Sequence, residues 1–293
     1  MKRQTANAQL QKSLALTFLS VLMSAPSAVQ ALPADTDTAP TTAMVSDPCP
    51  PPIPLPEELA HTVEGALNPG PPTSFAQLLS KPPVQAYFKA TEERAKSDWP
   101  NLCKYRRANA ALTTPTKVVF IGDSITESWV TGDPKLFVDG VIGRGISGQT
   151  SPQILLRFFQ DVIELRPQVV HIMAGTNDIA GNTGPTTEQD FKNNIIAMVT
   201  LARAHHIHVA LASILPASSF SWKPGFKPAA IIKELNRWLQ SYAQKSHIRF
   251  VDYYAVLTDT QGGFKAELSN DGVHPNRDGY AAMRKLAQLG IAK

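Results

Sequence analysis

From Lys117 onward the chain alternates two hydrophobic patterns. Short continuous apolar or β-branched runs stand at Val118 to Ile121, Val141-Ile142, Val169 to Met173, Val209 to Ile214 and Ile248 to Val251. Between them, in Pro152 to Leu165, Thr187 to Ala204, Ala229 to Gln244 and Pro275 to Leu289, apolar positions recur with helical spacing. Five strands alternating with helices predict an α/β fold, a parallel sheet covered on both faces. Strands buried on both faces should read as continuous apolar runs, and four of the five do. Ligands bind such sheets beyond the carboxyl ends of the strands, so chemistry is expected just after each strand.

The upstream pattern differs. Fifteen of the 24 prolines lie in the first 100 residues, densest at Pro48-Cys49-Pro50-Pro51-Pro52. Each proline removes a backbone donor and fixes φ, so residues 32–83 are read as a Pro-rich extension, either loose or pinned at Cys49. Val84, Tyr87, Phe88 and Ala95, with charges between, predict one amphipathic helix from Val84 to Asp98 that packs on the body. Residues 84–116 then form a helical lead-in, and 117–293 a single globular domain.

Composition excludes disorder throughout: 43% of the 293 residues are hydrophobic and 18% charged. A net charge of +4 and a pI near 9.0 invite nucleic acid or an anionic membrane as partner. The charge is unevenly placed, however. Lys2, Arg3 and Lys12 precede a largely apolar run, Leu14 to Met23, and small residues reach Ala31, the pattern of a signal peptide over residues 1–31. Cleavage near Ala31 removes three positive charges and no acidic one, so +4 becomes +1. Neither nucleic acid nor stable membrane insertion is then expected, since the run is about half of the roughly 20 residues a spanning helix needs. No lipobox-like cysteine follows it, so lipid anchoring is not expected.

Export to the periplasm or beyond gives Cys49 and Cys103 an oxidising setting, in which one disulfide is expected. It would close a loop of about 54 residues and stabilise by roughly 4 kcal/mol on the chain-entropy model. Two unpaired thiols are the alternative.

Four short motifs each fall after a predicted strand or before a predicted helix. Gly122-Asp123-Ser124-Ile125-Thr126 follows the first strand, where a tight turn exposes a hydroxyl beside free helix amides, as a nucleophile requires. Asp-Ser is equally ordinary cap chemistry. Gly143-Arg144-Gly145-Ile146-Ser147-Gly148 follows the second and fits G-x-G-x-x-G, but no acidic residue ends the next strand, His171 to Gly175, as a ribose would need. Its glycines either ease a turn or let the Gly148 amide approach an oxyanion. Gly175-Thr176-Asn177-Asp178 follows the third and offers a side-chain amide donor. Asp271-Gly272-Val273-His274-Pro275-Asn276 supplies a general base and a carboxylate to orient it. Pro275 suits the first position of the closing helix, whose positive end should disfavour imidazolium at His274.

Together the motifs supply a nucleophile, a base, its orienter and two oxyanion donors, a full set for acyl transfer. In this order they resemble the SGNH/GDSL hydrolase superfamily, over about Lys117 to Leu289. The resemblance implies a three-layer α/β/α sandwich of flavodoxin-like order. It implies Ser124 as nucleophile, His274 as base and Asp271 as its partner, with an oxyanion hole from the Ser124 amide, Gly148 and Asn177. No metal or cofactor is implied. Ile125 replaces the leucine of the G-D-S-L name, and Gln149 stands where an acid is frequent.

The function expected is an exported serine esterase acting on small-molecule, carbohydrate or lipid esters, with short acyl groups favoured. A cell-envelope O-acyltransferase would use the same residues, and a non-catalytic secreted binding module is the reading from another class. Phe220 and Trp222, with Phe226, lie on the loop Pro216 to Pro228 after the fourth strand and could wall the substrate. His205, His206 and His208 lack the acidic or thiol neighbours of a metal site, and His171 reads as a core histidine.

Overall fold

The computed structural model describes residues 44–68 and 75–292. The expected leader, and the extension up to residue 43, lie outside the described residues. From Pro48 onward the chain forms one compact unit. It opens with α1 (Glu57–Leu67), α2 (Phe75–Leu79), α3 (Pro82–Ala95) and α4 (Cys103–Ala110). The alternating body follows as β1 (Val118–Gly122), α5 (Ser124–Gly132), β2 (Val141–Gly145), α6 (Ser151–Phe158), β3 (Val169–Met173), α7 (Thr176–Ala180) and α8 (Glu188–Ala204). It continues as β4 (His208–Ala212), α9 (Ala229–Lys245), β5 (Arg249–Val251), α10 (Tyr254–Leu257) and α11 (Arg277–Ile291).

All strands pair in parallel in the order β2-β1-β3-β4-β5, the expected five-stranded sheet. The chain leaves β1 toward one edge and returns to β3 on the other side, so the loops after these strands diverge and open a crevice. Register sets that crevice: Gly122 lies level with Gly145 on one side and Met173 on the other. The three loops that follow start from one line.

Strand alternation sends side chains to two cores. Val119, Ile121, Val170, Ile172, Val209 and Leu211 pack with Ile154 and Phe158 of α6, Met198 of α8 and Leu235 of α9. On the other face Val118, Phe120, Ala210 and Ala212 meet Trp129 of α5 and Tyr280 and Met283 of α11. The architecture is thus a three-layer α/β/α sandwich. His171 is buried on the second face, stacked on Phe120 with ring centroids 4.3 Å apart and bonded through Nε2 to the Tyr253 hydroxyl at 3.0 Å. Burial pushes its pKa down to about 3, so it is a neutral core residue.

Several boundaries differ from the periodicity. Residues expected to be extended form α1 and α2, because the stretch between Pro56 and Pro69 is free of proline and Pro56 can stand as the cap. Pro82 and Pro83 occupy the first turn of α3, where a missing N–H is harmless, so the helix starts before Val84. The helix expected to run to Leu165 leaves α geometry at Phe159–Ile163, a π turn. The closing helix begins at Arg277 rather than Pro275: the Asn276 side chain accepts from Gly279 N–H at 3.0 Å, while Pro275 pairs with Ser269.

Cys49 and Cys103 are bonded, with Cα atoms 5.4 Å apart. Arg107 donates to the Cys49 carbonyl at 3.2 Å and Arg94 to the Pro51 carbonyl at 2.8 Å, so the proline run is clasped to α3 and α4. Replacing both cysteines by serine is expected to lower the unfolding free energy by about 2–4 kcal/mol, measured by urea titration. An unchanged midpoint would mean the disulfide adds nothing to stability.

Candidate active site

The turn out of β1 is built by Asp123. Its extended backbone caps α5, and its Oδ1 accepts the Ile125 N–H at 3.0 Å. Ser124 is therefore the first residue of a helix, at the carboxyl edge of the sheet. Its Oγ lies 2.9 Å from His274 Nε2, although 150 residues separate them. His274 Nδ1 lies 2.7 Å from Asp271 Oδ2. A carboxylate only accepts, so Nδ1 carries the proton and Nε2 offers its lone pair to the serine hydroxyl. Three of the residues singled out by sequence are thus brought into one hydrogen-bonded line.

The loop holding that line is braced from within. Asp271 Oδ1 accepts the backbone N–H groups of Val273 at 2.9 Å and His274 at 2.8 Å. Ser269 Oγ donates to the His274 carbonyl at 2.7 Å and accepts from Gly272 N–H at 2.9 Å. Burial would raise the Asp271 pKa, but the contacts with His274 and the two amides hold it well below the usual carboxylate range. At His274 burial works downward, yet the hydrogen bond and charge of Asp271, with Asp123 beyond, leave the pKa raised. This reverses the expectation from the helix terminus. The dipole of α11 fades outside its first turn and its cap is Asn276, whereas the carboxylate is in direct contact.

Asn177, at the start of α7, is buried and joins the loops after β1, β2 and β3. Its Nδ2 donates to the Gln149 carbonyl at 3.0 Å and, more loosely, to Asp123 Oδ2 at 3.3 Å. Gly148 stands beside Gln149 with φ +79°, a conformation that L side chains rarely adopt. The glycine is required by this backbone twist, not by crowding: a Cβ there would meet nothing within 4 Å. Crowding applies instead at Gly145, where a Cβ would sit 2.1 Å from the Glu127 backbone nitrogen.

Beneath these loops lies a residue that sequence reasoning missed. Arg157 of α6 is fully buried and donates in four directions: to the Gly122 carbonyl (2.8 Å), the Arg144 carbonyl (2.8 Å), Gln149 Oε1 (2.6 Å) and Asp161 Oδ2 (3.0 Å). Gln149 also donates to the Pro100 carbonyl at 2.7 Å. A glutamine can accept and donate at once, which an acid at this position could not do while ionised. The available signal was an arginine and an aspartate four residues apart on an otherwise apolar helix face.

Upstream helices brace both sides. Tyr105 of α4 donates to the Gly145 carbonyl at 2.5 Å, and Lys104 pairs with Glu127, which accepts from Ser147 N–H at 2.7 Å. At the end of α1, the Ala66 and Asn68 carbonyls accept from Asn270, the neighbour of Asp271, at 2.9 and 2.6 Å.

The aromatic loop divides its two candidates. Phe220 is 1% exposed and belongs to the core, so it cannot wall a substrate as expected from its loop position. It backs Trp222, which stacks on it with centroids 4.9 Å apart and remains 43% exposed.

A parallel α/β/α sandwich with Ser124, Gly148, Asn177 and His274 on the loops around the carboxyl edge of its sheet is the arrangement of the SGNH hydrolases. Residues 120–282 match the model of the GDSL-like lipase/acylhydrolase family, and the chain belongs to this family of carboxylic ester hydrolases. A solved structure assigned as an acylhydrolase, from Bacteroides fragilis NCTC 9343, is 47% identical and covers 66% of this chain and 97% of its own, with a TM-score of 0.64. A GDSL-like lipase from Bacteroides thetaiotaomicron VPI-5482 is 44% identical with the same coverage and a TM-score of 0.63. A catalytic mutant of Axe2, an acetylxylan esterase from Geobacillus stearothermophilus, shares the fold at 20% identity, covering 62% of this chain and 96% of its own, with a TM-score of 0.51. The uncharacterized lipoprotein YqeF of Bacillus subtilis strain 168 is 34% identical over 79 residues, 26% of this chain, and the match spans 32% of that lipoprotein's length. Among the described residues no helix is long and apolar enough to cross a membrane.

Two outcomes are expected from these contacts. By NMR, His274 should titrate above the ordinary histidine value of about 6.5, and Asp271→Asn should shift it downward, because the carboxylate favours imidazolium. Arg157→Met should destabilise by about 3–5 kcal/mol in urea titration, since it leaves the Asp161 carboxylate buried without its cation.

Proposed function

We propose that the protein is an exported serine esterase that cleaves short-chain carboxylic esters through an acyl-enzyme on Ser124. The observation that carries this reading is the continuous line Ser124–His274–Asp271, at 2.9 and 2.7 Å. His274 takes the Ser124 proton as Oγ attacks the ester carbonyl. Asp271 holds the imidazole and stabilises the imidazolium that forms. Charge grows on the former carbonyl oxygen, where the Ser124 and Gly148 amides and Asn177 Nδ2 donate to it. The Asn177 bond to Asp123, at 3.3 Å, is the weaker of its two and the one an oxyanion displaces. His274 returns its proton to the leaving alcohol, then activates the water that releases the acid.

Export is supported by the leader pattern and by a disulfide, which persists in oxidising compartments. Short acyl groups are supported by the modest apolar surface on the loop after β4, a single exposed indole. Ser124→Ala should abolish hydrolysis of chromogenic acetate and butyrate esters and labelling by a fluorophosphonate. Asn177→Ala should lower kcat by about a hundred- to a thousandfold with little change in KM. Undiminished turnover in Ser124→Ala, or preference for long acyl chains across an ester series, would refute the reading.

A further inference from the structure

We infer that Asn182 is a positioning residue for the oxyanion donor, and that Trp222 sets the direction in which it acts. The inference rests on the reading of Asn177 as that donor. Asn182 follows α7, and its Nδ2 donates to Asn177 Oδ1 at 2.6 Å. Its own Oδ1 accepts from Trp222 Nε1 at 3.0 Å. Trp222 in turn is held by its stack on the buried Phe220, and the adjacent Lys223 donates to the Ala180 carbonyl at 2.8 Å. The loop after β4 is thereby tied to the loop after β3.

The chemistry of the three groups makes the chain directional. An indole nitrogen can only donate, so the Asn182 atom facing Trp222 must be oxygen. Its nitrogen then faces Asn177, whose facing atom must in turn be oxygen. Asn177 is left with its nitrogen turned toward the Gln149 carbonyl and Asp123, the side from which an oxyanion would be met. The opposite amide orientation would place an acceptor there and repel the developing charge. The Gln149 carbonyl favours the same orientation from the other side, so Asn182 holds a rotation already biased. Because Trp222 is the exposed end of the relay, a substrate group seated on its face bears on the oxyanion donor through two hydrogen bonds.

The test is steady-state kinetics of the full exported chain on a chromogenic acetate ester, with thermal unfolding alongside. Asn182→Ala should lower kcat by about tenfold, less than outright loss of a donor costs, with KM within roughly twofold. Asn182→Asp should be worse than alanine despite its nearly identical shape. The carboxylate still accepts from Trp222 but sets a second acceptor against Asn177 Oδ1, which forces that amide to turn. Trp222→Phe, which keeps the stack and loses the donor, should cost less than either. With Asn177→Ala already present, neither Asn182 substitution should lower kcat further. A purely structural role predicts the reverse ordering, losses that follow the melting temperature and add to that of Asn177→Ala, and any of these results overturns the inference. Loss at Asn177 without loss at Asn182 overturns the inference alone; unchanged kcat in Asn177→Ala overturns the oxyanion reading and this inference with it.

Discussion

The guanidinium of Arg157 is the contact on which the site's geometry depends. Taking an arginine charge out of water is costly, and the cost is offset only when most of its donors find acceptors and a counter-charge lies nearby. Here the counter-charge is Asp161, four residues on, and the remaining donors go to the ends of β1 and β2 and to Gln149. Gly122, whose carbonyl it takes, stands two residues before Ser124. One rigid planar fork thus sets the spacing between the strand that delivers the serine and the strand that leads to Gly148.

The carboxylates around this frame divide their work by environment. Asp123 and Asp178 are buried, and burial raises the pKa of each, that of Asp123 to about 6. Both serve as acceptors that shape turns: Asp123 caps α5, and Asp178 takes the Ser151 amide and hydroxyl at the start of α6. Asp271 differs because it faces an imidazole as well as two amides, and its contact with His274 lowers the carboxyl pKa while raising that of the imidazole. In the proposed mechanism proton transfer falls to that one pair, while Asp123 and Asp178 shape the turns around it.

The family match begins at residue 120, yet the chain before it contributes to the geometry. The end of α1 supplies carbonyls to Asn270, and α4, fixed by the disulfide, supports Gly145 and lies beside the Pro100 carbonyl that Gln149 reaches. The two loops that must face each other across Ser124 are each held by a different upstream helix. Within the stretch expected to be a Pro-rich extension, loose or pinned at Cys49, α1 forms and braces the loop of Asp271.

Much of the site was legible without coordinates. The five apolar runs carried the strand order along the chain, and the rule that parallel sheets bind at their carboxyl ends picked out the loops of Ser124, Gly148 and Asn177. His274 and Asp271 were legible for a different reason, since residue type and local spacing are enough when a motif is contiguous. Arg157, Asn182 and the upstream helices were not, because each acts through hydrogen bonds to residues distant in the chain, and periodicity records only which face of an element is apolar. Phe220 and Trp222, two residues apart on one loop, were indistinguishable until packing buried one and exposed the other. The sequence by itself determined the sandwich and the chemical groups at its edge. Tertiary structure alone decided their protonation and the direction of their hydrogen bonds, because both depend on which distant groups share the same few ångströms.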